Sequence, residues 1–268
     1  EGIGFDISES LAKRGMKVYL VARTPQKLET AKERIKDAGG RAEIRSADIT
    51  DFEAMRKIID DVYTAENRLD IFVNNAGRWD SQSINTPFDE IWKLIEFLGK
   101  APLQISQYLV QKFQNQKDNP LRILTVSSQA GLQIMDGNLG YNPGKMLLTS
   151  GLFALQRETE IARLSHIQFY RLYPNTVATE KVIAMMKEAR KRGEKGDLGN
   201  PVSLEAVTNA AIDLLLNKTP TRDMRIGYYP TKGIVRTHYP SDPREFYSAL
   251  NTKEEIVDAN WTPQELFK

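Results

Sequence analysis

Short apolar runs alternate with amphipathic stretches along most of the chain. Ile7 and Leu11 recur at helical spacing, Gly15 follows as a helix stop, and residues 18–21 form an apolar run typical of a buried strand. Later apolar runs of strand length cover residues 70–73, 123–126, 167–172 and 225–229. Because helix-length segments separate these runs, the pattern predicts an α/β fold with a doubly wound parallel sheet between two layers of helices.

The same pattern predicts how the chain is divided. No low-complexity stretch or Pro/Gly-rich linker interrupts the 268 residues, so we expect a single domain, 1–268. A fold of this class starts with a buried strand and a glycine turn, whereas this sequence opens on Gly2-Ile3-Gly4 and a helical pattern. We therefore expect the first strand and the start of the glycine turn to lie upstream. Residues 240–268, which include Trp261, are expected to form a packed C-terminal extension.

The composition limits the classes of partner. With 37 basic and 35 acidic residues, the formal net charge of +2 does not favour nucleic acid or an acidic membrane surface. The absence of cysteine excludes disulfides, thiolate metal sites and cysteine nucleophiles, so redox chemistry would need a dissociable cofactor. His166 and His238 are far apart in sequence, and we predict no metal site. No apolar run approaches the roughly 20 residues of a membrane span, and we expect a cytoplasmic protein that acts on small molecules.

Two features near the N-terminus are typical of dinucleotide binding. Gly2-Ile3-Gly4 opens a predicted helix, whose free N–H groups and dipole favour an anion such as a pyrophosphate. The strand at residues 18–21 ends in Ala22-Arg23, where an acidic residue would bind the ribose 2′-hydroxyl of NAD. Arg23 would instead donate to a 2′-phosphate, which favours NADP. Taken singly, the two features are better explained as an ordinary turn and a surface arginine.

Tyr141 and Lys145 are the candidates for acid–base chemistry. They stand four residues apart at the start of a helical pattern, which places both side chains on one helix face. A tyrosine hydroxyl titrates near ~10, and a nearby ammonium together with a cationic nicotinamide would favour the phenolate. Ser128 ends the strand at residues 123–126, where it could bond a substrate oxygen at the carboxyl edge of the sheet. A tyrosine and a lysine at this spacing also occur by chance on many protein surfaces.

Taken together and in order, these residues resemble the short-chain dehydrogenase/reductase family as far as about Thr179. The family has a Rossmann-type, three-layer α/β/α fold. Ser128 lies thirteen residues before Tyr141, the spacing of the family's catalytic serine, and strand alternation would turn the neighbouring Ser127 to the other face. The other matching segments are Glu1-Gly2-Ile3-Gly4 for the end of TGxxxGIG, Asp48 for the adenine-contacting acid, Asn74-Asn75-Ala76-Gly77 for NNAG, Tyr141-Asn142-Pro143-Gly144-Lys145 for YxxxK, and residues 174–179 for PGxxxT.

The resemblance implies a role for each of these residues. Tyr141 would be the general acid in reduction and the base in oxidation, Lys145 would hold the nicotinamide ribose and lower the tyrosine pKa, and Ser128 would orient the carbonyl. The cofactor would supply the hydride. The implied NADP(H) contacts are Gly2, Ile3 and Gly4 at the pyrophosphate, Arg23 at the 2′-phosphate, Asp48 and Ile49 at the adenine, Asn75 at the adjoining ribose, Tyr141 and Lys145 at the nicotinamide ribose, and Val177 and Thr179 at the nicotinamide amide.

Three departures from the family pattern bear on activity. Glu96 in Glu96-Phe97-Leu98-Gly99 stands where the family has an asparagine that steadies a water of the proton relay. A carboxylate there could replace the asparagine, bias the local pKa values or mark reduced activity. Asn175 replaces the glycine that follows Pro174. Within YxxxK, Pro143 is tolerated if the helix begins there, because a first-turn N–H has no intrahelical partner.

The sequence therefore predicts an NADP(H)-dependent oxidoreductase that transfers a hydride between nicotinamide and a carbonyl or secondary alcohol of a small substrate. One alternative is a non-catalytic NADP(H) sensor whose relay is altered at Glu96, and another is an isomerase or lyase of the family's extended branch. Residues 180–200 are expected to form a substrate lid, and the substrate is lipophilic if the apolar lid residues line the cleft. The remaining candidates for substrate contact are Arg78, Trp79, residues 133–138, Ile183, Met185 and Met186. The resemblance also implies a homodimer or homotetramer through the helices containing residues 96–112 and 141–158.

Overall fold

The computed structural model describes residues 1–192, 200–219, 221–240, 242, 252–263 and 266. The helices are α1 Gly2–Ala12, α2 Pro25–Asp37, α3 Phe52–Glu66, α4 Phe88–Ile95, α5 Ala101–Phe113, α6 Tyr141–Ile161, α7 Glu180–Lys191 and α8 Leu204–Leu215. The strands are β1 Lys17–Ala22, β2 Arg41–Ser46, β3 Ile71–Asn74, β4 Leu121–Val126, β5 Ile167–Pro174, β6 Asp223–Tyr229, β7 Gly233–Tyr239 and β8 Lys253–Asp258. In this part of the chain, no helix is long and apolar enough to cross a membrane.

The strands form two hydrogen-bonded sheets. β1 pairs with β2 in parallel, and a six-stranded sheet has the order β3-β4-β5-β6-β7-β8. The pairs from β3 to β6 are parallel, whereas β7 runs antiparallel to both of its neighbours, β6 and β8. The predicted α/β class with helices on both faces of a parallel sheet is confirmed. The antiparallel pair β7–β8 was not predicted, because its strands follow the last helix and need no crossover.

The core lies on both faces of the sheet, as alternation along the strands requires. Side chains of β4 divide between the faces: Leu124 and Val126 pack against α1 and α8, while Leu121 and Ile123 pack against α3, α5 and α6. Val18 of β1 joins the first cluster and Val21 joins the second. The two sheets therefore share one pair of hydrophobic layers.

The region after α6 and β5 carries the predicted lid and the predicted C-terminal extension. α7 covers Glu180–Lys191, in which Met186 is buried, whereas residues 193–199 of the predicted lid lie outside the described residues. Further on, Trp261 packs against the α1–α8 cluster and donates from Nε1 to the carbonyl of Pro201 at 3.1 Å. Of the predicted extension, residues 241, 243–251, 264, 265, 267 and 268 are also outside the described part.

Candidate active site

Three predicted cofactor segments meet at the start of α1. A Cβ on Gly4 would lie 2.3 Å from Nδ2 of Asn75, so only glycine lets that amide lie against the first turn of the helix. Gly2 has a φ of +62°, and a Cβ placed on it would lie 3.5 Å from the Thr179 methyl group. Ile3 packs into the same apolar cluster as Val177. The glycine turn, the NNAG segment and the PGxxxT-like segment therefore form one surface.

The first turn of α1 suits an anionic ligand. Its N-cap, Glu1, makes no side-chain hydrogen bond to the helix, so the Glu1 side chain does not cap the first N–H groups. Backbone donors of this kind bind pyrophosphate groups well because they add to the positive end of the helix dipole. The donor set and the missing Cβ atoms fit the phosphates of a dinucleotide.

Arg23 and Asp48 lie at the part of the predicted cofactor site that would hold the adenosine. Arg23 Nη1 lies 3.5 Å from Asp48 Oδ2, and the arginine side chain is 62% exposed. Partial burial acts to raise the pKa of Asp48, but hydrogen bonds from the backbone and hydroxyl of Thr50, together with the Arg23 charge, lower it overall. Ile49 is half-buried and packs against the same apolar cluster as Val21. A surface ion pair is worth at most ~1 kcal/mol, so the guanidinium remains available to a phosphate.

Lys145 is buried at the centre of the candidate site. Its Nζ donates to the Val126 carbonyl at 3.3 Å and lies 5.9 Å from the centroid of the Tyr141 ring. A Cβ on Gly77 would lie 3.7 Å from this Nζ, so the NNAG segment covers the ammonium. Burial lowers the pKa of Lys145 to about 8. The lysine is therefore still mostly protonated at neutral pH, although little of it reaches solvent.

Replacing Lys145 with methionine is expected to stabilise the protein at pH 7. Lowering the lysine pKa from 10.5 to about 8 costs the folded state about 3 kcal/mol. The lost hydrogen bond to Val126 offsets about 1 kcal/mol of this gain. We therefore expect the free energy of unfolding, measured by chemical denaturation, to rise by about 2 kcal/mol.

The pH dependence of that gain has a defined sign. Between pH 8 and 10.5 the unfolded chain keeps a proton that folded Lys145 releases, so the destabilisation by Lys145 is complete below about pH 8 and disappears towards pH 10.5. The advantage of Lys145→Met should shrink over this window. Lys100→Met, at a side chain that is 63% exposed, is the control and should change stability by less than about 0.5 kcal/mol. A methionine variant less stable than the wild type at pH 7 would contradict the prediction.

Tyr141 is the first residue of α6, and Ser128 is its hydrogen-bond partner. Burial raises the pKa of Tyr141, and the hydrogen bond with the Ser128 hydroxyl lowers it by less, so the pKa lies above its ordinary value. The resemblance implies a pKa lowered by Lys145, but in the protein alone burial dominates. Ser127 points elsewhere, because its Oγ lies 3.2 Å from the Thr149 hydroxyl. The structure thus places Ser128 rather than Ser127 beside the tyrosine.

Close helix packing holds α6 in this position. Residues Glu96–Lys100 form a π-helical segment between α4 and α5, and Pro102 follows it without an N–H for the ordinary helical bond. A Cβ on Gly99 would lie 2.8 Å from the carbonyl oxygen of Gly144, so the π-helical segment and α6 nearly touch. α6 begins at Tyr141, which leaves Pro143 in the first turn, where its missing N–H costs nothing.

The sequence matches the model of a protein family described as short chain dehydrogenase over residues 1–191. The chain belongs to the short chain dehydrogenase family. It is 26% identical over 220 residues to dehydrogenase/reductase SDR family member 7 of Mus musculus, covering 80% of this chain and 63% of that protein. A segment of 88 residues is 36% identical to a fatty acyl-CoA reductase of Acinetobacter baylyi, covering 33% of this chain and 30% of that enzyme. The chain thus spans less than two thirds of the length of both relatives.

The structural comparison agrees with the family. A crystal structure of a variant of actinorhodin polyketide ketoreductase with NADPH matches with a TM-score of 0.72 at 20% sequence identity, covering 84% of this chain and 91% of that one. This likeness confirms the predicted Rossmann-type fold.

Glu96, the departure from the short chain dehydrogenase pattern, pairs with a lysine of its own π-helical segment. Its carboxylate accepts from Lys100 Nζ at 3.1 Å, on a side chain that is 36% exposed. The lowered pKa of Lys145 has burial as its cause. The structure therefore places the Glu96 carboxylate with Lys100 and not with Lys145.

The predicted substrate loops of this short chain dehydrogenase are tied to each other. Trp79 donates from Nε1 to the side-chain oxygen of Asn138, and the N–H of Gln82 donates to the Gly137 carbonyl at 3.2 Å. The loop around residues 133–139 also exposes 74% of Ile134 and 45% of Leu139. Arg78 instead bonds Asp80 at 2.6 Å. Each loop therefore exposes at least one large apolar side chain.

Asn142 is a residue of the site that sequence reasoning missed. It lies within the YxxxK segment directly after Tyr141, but the motif leaves this position open. Its side chain is buried and bonds three backbone groups of the segment that follows Ser128. Nothing in the sequence indicates these contacts, because they depend on how that segment folds back over the start of α6.

Proposed function

We propose that this short chain dehydrogenase transfers a hydride between NADP(H) and a carbonyl or secondary alcohol of a small substrate. The observation that carries the proposal is the meeting of Ser128, Tyr141 and Lys145 at the carboxyl end of β4. The surface formed by Gly4, Asn75 and its neighbours fits a dinucleotide beside this cluster.

The choice of NADP over NAD rests on Arg23. An exposed guanidinium stands at the end of β1, where an acidic side chain would favour the free 2′-hydroxyl of NAD. Its fork of donors matches a phosphate group. The ketoreductase neighbour crystallised with NADPH supports the same cofactor.

The residues present divide the proton chemistry between them. NADPH, when bound, supplies the hydride to the carbonyl carbon. Tyr141 gives its phenolic proton to the carbonyl oxygen, and its raised pKa keeps that proton in place at neutral pH. Ser128 accepts from the Ala130 N–H at 3.2 Å, which leaves its own proton for an oxygen in front of Tyr141. The protonated Lys145 beside the ring stabilises the phenolate left by proton transfer. In alcohol oxidation each proton moves the other way.

Exposed apolar side chains on the loops support a lipophilic substrate. Trp79, Ile134 and Leu139 expose 39%, 74% and 45% of their surfaces on the loops assigned to substrate contact. Large apolar side chains on these loops are suited to contact an apolar part of a substrate.

The experiment that tests the proposal is a substrate panel followed at the nicotinamide absorbance. Ethyl acetoacetate, acetophenone and decanal would be tested with NADPH, and the matching alcohols with NADP. Turnover of any of them supports an oxidoreductase that reduces carbonyls. Tight NADPH binding without turnover across a broad panel would favour a sensor instead.

Arg23→Ala is expected to remove most of the preference for NADPH over NADH. One hydrogen bond to a charged group contributes about 1.5–3 kcal/mol, so the ratio of the two dissociation constants should fall by roughly 10- to 100-fold. Fluorescence titration of each cofactor measures the ratio. Arg41→Ala, at the far end of β2, is the control and should leave it unchanged. Equal affinities for NADPH and NADH in the unaltered protein would contradict the proposed preference for NADP.

A further inference from the structure

Asn142 uses its whole amide to hold one backbone segment. Nδ2 donates to the carbonyls of Ala130 and Gln133 at 2.9 and 2.7 Å, and Oδ1 accepts from the Met135 N–H at 3.1 Å. Its backbone N–H donates to the Asn138 carbonyl at 3.0 Å. The residue is 3% exposed, so water cannot replace these bonds without rearrangement.

Ala130 connects Asn142 to Ser128. The Ala130 carbonyl accepts from Asn142, and the N–H of the same residue donates to the Ser128 Oγ at 3.2 Å. Ser128 caps the short helical turn Gln129–Gly131 in this way. The position of the serine oxygen is thus set by the turn, and Asn142 anchors the turn.

We propose that Asn142 is a positioning residue that acts through Ala130 to aim the Ser128 hydroxyl at Tyr141 and the substrate oxygen. This inference rests on the proposed function. With one lone pair of Ser128 taken by the Ala130 N–H, the serine proton is directed away from the turn and towards the tyrosine. Asn142 directly follows Tyr141 in the chain, so the first turn of α6 carries both the proton donor and the residue that positions Ser128.

A double-mutant cycle separates positioning from a general structural role. We expect Asn142→Ala to lower kcat roughly tenfold, the effect of one typical hydrogen bond, and to leave KM for the panel substrate within about twofold. In a Ser128→Ala background the same change should lower kcat by less than about twofold, because the serine through which Asn142 acts is gone. A full tenfold loss in that background would overturn the inference.

The pH profile gives a second readout. The Ser128 hydrogen bond lowers the pKa of Tyr141, so Asn142→Ala should move the alkaline limit that Tyr141 sets on carbonyl reduction to higher pH, and we expect the same of Ser128→Ala. Thr149→Val is the matched control, because Thr149 is equally buried on α6 but bonds Ser127. The control is expected to lower the melting temperature without moving that limit. An unmoved limit in Asn142→Ala would overturn the inference.

Amide hydrogen exchange tests the geometry without turnover. We expect the Ala130 and Met135 N–H groups to exchange faster in Asn142→Ala than in the unaltered protein. If the alanine variant does not fold, Asn142→Ser, which keeps one donor, takes its place. An unchanged exchange rate of the Ala130 N–H would contradict the positioning role of Asn142, and this result does not depend on which reaction the protein catalyses. If Tyr141→Phe kept its activity, the proposed function would fail while the exchange result stood, so the two failures can be told apart.

Discussion

Tyr141→Phe is expected to abolish turnover of every panel substrate and to leave NADPH binding nearly intact. Phenylalanine keeps the ring that lies beside Lys145 but lacks the hydroxyl that bonds Ser128. Removing a positioned general acid costs about 10²- to 10⁴-fold in rate. Because the binding surface at Gly4 and Asn75 is made by other segments, the dissociation constant of NADPH should change by less than a factor of about three.

Tyr108→Phe is the matched control for this substitution. The Tyr108 hydroxyl on α5 bonds Asp60 on α3, and burial followed by that carboxylate raises its pKa to about 12. It undergoes the same chemical change away from Ser128 and Lys145, so kcat should stay at the wild-type value. Stopped-flow absorbance and fluorescence titration give the rate and the affinity. More than a tenth of wild-type kcat in Tyr141→Phe would mean that another group supplies the proton.

The raised pKa of Tyr141 bears on the pH dependence of the proposed reaction in the unaltered protein. Reduction needs the protonated phenol and the charged Lys145, so its rate should be flat near neutrality, decline as Lys145 loses its proton around pH 8, and fall further as the pH passes the tyrosine pKa. Oxidation needs the phenolate and should rise over the same range. A reduction rate that increased from pH 7 to pH 10 would contradict the assignment of Tyr141 as acid.

Much of this architecture is local enough to be predicted from sequence. The repeated change from helical spacing to short apolar runs indicated the α/β class, and strand alternation separated Ser128 from Ser127. Both inferences use geometry that extends over a few residues. The contact between the glycine turn and the NNAG segment was predictable because Gly4 and Asn75 belong to recognisable motifs, even though 71 positions separate them.

What could not be predicted depends on contacts between distant segments or on a shift in helical register. The π-helical segment before Pro102 departs from the α-helical register of α4 and α5. Within this segment the Glu96 carboxylate accepts a hydrogen bond from Lys100. Asn142 has no motif of its own because its partners are backbone groups. The strands β7 and β8 pair antiparallel, so no crossover helix between them indicates the pair in the sequence.

Arg171 and Asp223 form the buried ion pair of the described core, and breaking it is expected to cost the protein about 3–5 kcal/mol. The two residues are neighbours across β5 and β6, with Nε to Oδ1 at 2.6 Å and Nη2 to Oδ2 at 2.9 Å, and their side chains are 1% and 0% exposed. Arg171 also donates to Gln156 at 2.7 Å and lies 3.7 Å from the ring centroid of Phe153, both on α6. The pair therefore joins the sheet to the helix that begins with Tyr141.

Asp223→Asn keeps the size of the side chain but leaves the Arg171 charge buried without a counter-ion, which is the costly situation. Asp70→Asn removes the acid of the exposed Arg68–Asp70 pair and should cost less than about 1 kcal/mol in the same denaturation experiment. The double variant Arg171→Met/Asp223→Leu removes both charges, so it should recover most of the loss. If the double variant stayed as unstable as Asp223→Asn, the cost would come from the contacts of Arg171 with α6 and not from an uncompensated charge.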